Sequence, residues 1–159
     1  MDISVDQINP FLNAAVKVFE DFLKCELRKG HLSVKESPSP EYDVALIIGI
    51  TGDYVGQVVY SMKRATAEKI VEILNPDVPF KELANYFEDT LGEVANMITG
   101  NATIYLNKMI AGTANIDITT PSLITGDAFE LQLLQQTTIG INMYSPFGTI
   151  EINVAIKRK

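Results

Sequence analysis

Glu93 and Asn96 stand three residues apart in the stretch FEDTLGEVANMITGNA, residues 87–102. On a helix that spacing sets a carboxylate and an amide one above the other. A carboxylate can pair with a cation. An amide can accept one hydrogen bond and donate another, which lets it orient a water without acting as a strong base. Spacing alone is weak evidence, because Glu-x-x-Asn recurs as Glu72/Asn75 and Glu82/Asn85. Asn75 reads as a C-terminal helix stop, and Glu82 suits the dipole at a helix start. The stretch also carries Gly92 and Gly100. Each costs a helix interior about 1 kcal/mol relative to Ala.

Other chemistry is thinly represented. His31 is the single histidine; it lies beside Gly30, between a helix end and a strand start, and reads as a surface or helix-end residue. Cys25 is the single cysteine, which leaves no disulfide framework and no thiolate cluster. It reads as a buried, inert thiol. There is no P-loop and no G-x-G-x-x-G pattern, so neither a metal nor a cofactor site is expected in this chain. A net charge of −7 argues against a nucleic-acid partner, since phosphate binding needs a basic face. The basic end, Lys157-Arg158-Lys159, is too short to alter that.

The opening MDISVDQINP lacks the positive region and apolar run of a signal peptide. The apolar run VALIIGI (44–50) is far too short to span a membrane. A cytoplasmic protein with no membrane contact is the expectation. The 159 residues suit a single domain, 1–159.

Elements must then place the pair. Ser4 and Gln7 form a capping-box signature for a helix over about 6–27, with apolar residues at helical spacing from Ile8 to Leu23. A short strand is expected near 31–36, then a proline-rich loop at 36–42. Residues 43–50 and 55–62 read as a hairpin, followed by a helix from about Ser61 to Leu74, where NPDVP stops it. A long helix is expected from about Lys81 to Ile110. TANIDITT (113–120) alternates like a strand, and PSLITGDAF reads as a loop with a short edge strand. Residues 137–144 and 149–157 complete a second hairpin across SPFG. This order predicts an α+β fold, a mostly antiparallel sheet with helices packed on one face.

Each residue of a helix advances about 100° around its axis. With Val94 at zero, Leu83, Phe87, Leu91, Ile98, Ala102, Tyr105 and Met109 fall within about −20° to +80°, a core stripe. Asp89, Glu93, Asn96 and Gly100 fall between about −160° and −100°, on the opposite side. Two explanations of the glycines stay open. A neighbouring segment of this chain could pack against them, which geometry alone favours. Alternatively, they clear the flanks of Glu93 and Asn96 for another molecule.

The wording around the pair adds information. DTLGEVANMITGNA resembles the signature of the CheC/CheX family of chemotaxis phosphatases, with Asp89, Glu93, Asn96 and Pro121 in order. INPFLNAAVKVFE (8–20), ALIIGITGDYVGQVVYSM (45–62) and TTPSLITG (119–126) extend the likeness over most of the chain, closer to CheX than to CheC. The first helix has no Glu-x-x-Asn, so a single site per subunit is implied. The resemblance implies a CheC-like fold, homodimerisation, and one substrate: the aspartyl phosphate of a phosphorylated CheY-like response regulator. It implies that Glu93 pairs with the regulator's active-site lysine, and Mg²⁺ would arrive with the regulator's own acidic pocket. Asn96 would position the attacking water, a task parallel to that of the GTPase glutamine. Asp89 reads as a helix-face residue or rim contact. A dimeric module that binds a regulator without turnover is the alternative, and a small-molecule pocket over the sheet a third.

Overall fold

The computed structural model describes residues 4–36, 40–109, 114–126 and 136–159. Among the described residues three α-helices and seven strands follow in the order α1 (Val5–Phe22), β1 (Arg28–Lys35), β2 (Val44–Gly52), β3 (Tyr54–Met62), α2 (Arg64–Leu74), α3 (Phe87–Met109), β4 (Ile116–Ile118), β5 (Ser122–Thr125), β6 (Thr138–Ser145) and β7 (Gly148–Arg158). The sheet is antiparallel throughout, in the order β1-β6-β7-β3-β2-β4, with β5 also on β2. The expected α+β architecture is the one observed. Parts of the sequence reading lie outside the described residues: the helix end at Ile110, residue 113, the prolines at 38 and 40 in part, and the loop beyond Gly126.

Strand alternation explains the layering. On β7, Ile150, Ile152, Val154 and Ile156 point into the core shared with α1 and α3, while Glu151 and Asn153 point to the other face. Glu151 is buried there, and its carboxylate accepts from the Lys35 ammonium at 2.8 Å and the Asn153 amide at 2.8 Å. A buried carboxylate is tolerable only with such partners.

The helices depart from the expected bounds in instructive ways. Ser4 N–H donates to Gln7 Oε1 at 2.9 Å, which starts α1 as expected. The helix ends at Phe22 rather than Leu27, because Lys24 turns left-handed at φ 54°. The N–H groups of Leu23 and Cys25 both close on the Phe19 carbonyl. The next helix starts at Arg64 rather than Ser61, since Ser61 and Met62 complete β3. Asn75 does stop α2, its amide donating to Val71 O at 2.8 Å and to Thr90 Oγ1 at 3.0 Å, which ties α2 to the start of α3. The expected long helix is two elements: a 3-10 segment over Phe80–Tyr86 leads into α3 at Phe87.

The core stripe of α3 also shifts. Leu91, Val94, Ile98 and Ala102 are buried as expected, but Tyr105 and Met109 are 44% and 54% exposed. Ala95, Thr99, Thr103 and Leu106 are buried in their place. The cause is α1, which packs along α3 and covers a second flank. The buried arc is therefore wider and rotated: it leaves Glu93 squarely outward and brings Asn96 to its edge, where it is half-buried.

One hydrogen bond fixes the inner side of α3. Tyr60 Oη lies 2.7 Å from Thr99 Oγ1, and Thr99 donates its own proton to Ala95 O at 2.8 Å. Tyr60 must therefore be the donor. Tyr60→Phe should lower stability by about 1 kcal/mol in urea unfolding; an unchanged midpoint would contradict this. Burial pushes the Tyr60 phenol well above its ordinary value near 10. The neutral form is thus favoured in the fold, and its contribution is lost as pH rises past that value.

Candidate active site

Helix α3 brings Asp89, Glu93, Asn96 and Gly100 onto its outer face, as the periodicity requires. Asp89 and Glu93 are exposed, and Asn96 is half-buried. Among the described residues no hydrogen bond or ion pair engages the side chain of Glu93 or Asn96. Both groups are held by a rigid helix and left available for an outside partner.

The pair forms one side of an open groove of about 480 Å³. Glu88, Asp89, Gly92, Glu93 and Asn96 line the α3 side; Ile118, Thr119, Thr120 and Pro121 line the other. Among the described residues no basic side chain lines the groove, so its field favours a cationic group from outside. The sequence reading brought Pro121 to the motif by resemblance and had no signal for Glu88, Thr119 or Thr120 as groove residues. Pro121 comes from a segment that crosses the edge of β2, a tertiary placement that periodicity does not encode.

The two glycines separate the two explanations. A Cβ on Gly92 would lie 3.8 Å from Pro121 Cβ, an ordinary contact, so a neighbour does pack there without demanding glycine. A Cβ on Gly100 would meet nothing within 4 Å. Nothing in the described chain explains Gly100, and the surface beside Asn96 is bare.

His31 is exposed on edge strand β1, and Cys25 is partly buried with burial raising its thiol pKa, as suits an inert group. Neither approaches the groove. Among the described residues no group of three or more His, Cys, Asp or Glu could hold a metal ion, and no helix is long and apolar enough to cross a membrane. The space enclosed between α3 and the sheet is about 20 Å³, too small for a small-molecule ligand.

Known structures share this architecture. The crystal structure of the chemotaxis protein CheX from Desulfovibrio desulfuricans superposes with a TM-score of 0.83 at 24% identity, covering 98% of this chain and all of that one. That of the CheX-CheY-BeF3-Mg+2 complex from Borrelia burgdorferi gives 0.78 at 28% identity, covering 98% of this chain and all of its match. The fold is the CheC-like one. Among characterised relatives, the CheY-P phosphatase CheX of Thermotoga maritima is 25% identical over 119 residues, 75% of each chain. The model of the chemotaxis phosphatase CheX family matches residues 44–142, from β2 into β6 and across the whole of α3, and the chain belongs to that family.

Proposed function

We propose that this chain hydrolyses the aspartyl phosphate of a phosphorylated CheY-like response regulator, with Glu93 and Asn96 as the groups inserted into the regulator's pocket. The observation that carries this reading is the uncommitted carboxylate–amide pair on the open side of α3. An acyl phosphate is already activated. Its hydrolysis needs a water held in line with phosphorus and stabilisation of the transferring oxygens. The water oxygen bonds to phosphorus, the bond from phosphorus to the aspartyl oxygen breaks, and inorganic phosphate and a free carboxylate result.

Asn96 accepts a hydrogen bond from that water and holds it in line. Its side chain is short, so the helix must approach the phosphate closely, and bare Gly100 permits the approach. Glu93 pairs with the regulator's active-site lysine and fixes the register of docking. Mg²⁺ belongs to the regulator's acidic pocket, in keeping with the Mg²⁺ in the Borrelia CheX–CheY complex. Glu93→Ala should raise the regulator concentration needed for half-maximal phosphate release about fivefold, through a lost charge-assisted contact. An unchanged value would remove this role.

Residues 1–159 act in this reading as one cytoplasmic domain, assembled as a homodimer. Strand β1 ends the sheet, with Leu32 and Val34 42% and 76% exposed. An edge of that kind invites pairing with a second copy. Light scattering should give the mass of two chains, and the mass of one would refute it.

A further inference from the structure

The far wall of the groove is built on an irregularity in the sheet. Strands β4 and β5 both pair with β2, but not in one register. Ile50 pairs with Ile118, whereas Ile47 pairs with Ser122. Two residues of β2, Ile48 and Gly49, thus face three residues of the other segment, Thr119, Thr120 and Pro121. This is a β-bulge, which bends a strand and re-aims its side chains.

Thr119 holds the bulge. Its N–H donates to the Gly49 carbonyl at 2.9 Å, as in a regular ladder. The returning bond differs: Gly49 N–H donates to Thr119 Oγ1 at 2.8 Å instead of to a main-chain carbonyl. The hydroxyl in turn faces Thr120 O at 3.3 Å. A side chain therefore satisfies the ladder, and the main chain after Thr119 is free to leave it. Pro121 has no N–H to lose by doing so. The departing segment brings Pro121 against Gly92 and forms the wall opposite Glu93 and Asn96. Gly49 is needed for this seat, since a Cβ there would lie 2.9 Å from Thr119 Cγ2 and 3.1 Å from Oγ1.

We infer that Thr119 is a positioning residue for the phosphatase reaction: its hydroxyl pins the bulge that sets the groove wall facing Asn96. The inference rests on the reading of Glu93 and Asn96 given above. A wall that shifts by about an ångström moves the bound regulator relative to the amide, and such misplacement costs turnover more than binding.

The test is steady-state phosphate release from an acetyl-phosphate-charged CheY-like regulator, with thermal unfolding of each variant alongside. Thr119→Val keeps the shape and removes the acceptor. It should lower kcat about fivefold with KM changed less than twofold, while Thr119→Ser, which keeps the acceptor, stays within twofold of wild type. Wild-type kcat in Thr119→Val overturns the inference and leaves the Asn96 reading intact. Equal losses in the valine and serine variants also overturn it, because the hydroxyl is then irrelevant. If Thr119→Val does not fold, Gly49→Ala takes its place; its methyl displaces the same hydroxyl, and normal kcat there is the refuting result. Absence of any acceleration by wild type removes the parent reading and this inference together.

Discussion

Asn96→Ala should reduce the acceleration of regulator dephosphorylation at least tenfold while leaving regulator binding nearly intact. Asn96 is half-buried and its amide has no partner among the described residues, so its removal costs the fold little. On the proposed mechanism the transition state loses the group that orders the water, and a positioning group of this kind is worth one or two orders of magnitude. Glu93, the proposed partner of the regulator's lysine, remains, so a beryllofluoride-loaded regulator should titrate onto the variant within a few-fold of wild type. Equal rates for wild type and variant would show that the amide does not act on the water. A rate loss matched by an equal loss of binding would make Asn96 a docking residue.

Gly100→Leu should move stability and activity in opposite directions. Nothing lies within 4 Å of the Cβ this substitution introduces. Leucine is a good helix former, so the fold should gain about 0.8 kcal/mol, read as a higher urea midpoint. The same side chain would stand one turn beyond Asn96 on the same face and hold a partner's surface away from the amide. The specificity constant for phosphate release should fall tenfold or more. A stabilised variant with full activity would show that no partner approaches this turn. A destabilised variant would show that Gly100 serves packing instead.

The outward face of α3 was legible in the sequence because helix geometry is regular: four residues at spacings of 4, 3 and 4 must share a side. The hairpins were legible because alternation and turn residues are local signals. Three features were not. Lys24 ends α1 in a left-handed conformation usually signalled by Gly or Asn, so the chain gave no warning. Tyr105 and Met109 follow the apolar period but are exposed, because the packing of α1 decides which flank of α3 is covered. Thr119 looks like one more strand residue; its bulge appears only when Ile118 and Ser122 are seen to pair with β2 one residue out of step. The α3 side of the groove is thus written in local spacing, and the opposite side in long-range pairing.

The most direct measurement adds this protein, in amounts far below the regulator, to a CheY-like response regulator kept phosphorylated by acetyl phosphate, and follows inorganic phosphate. The rate should rise in proportion to the protein added, with each chain releasing many equivalents. A regulator that binds the protein yet loses its phosphate no faster at any ratio would contradict the account.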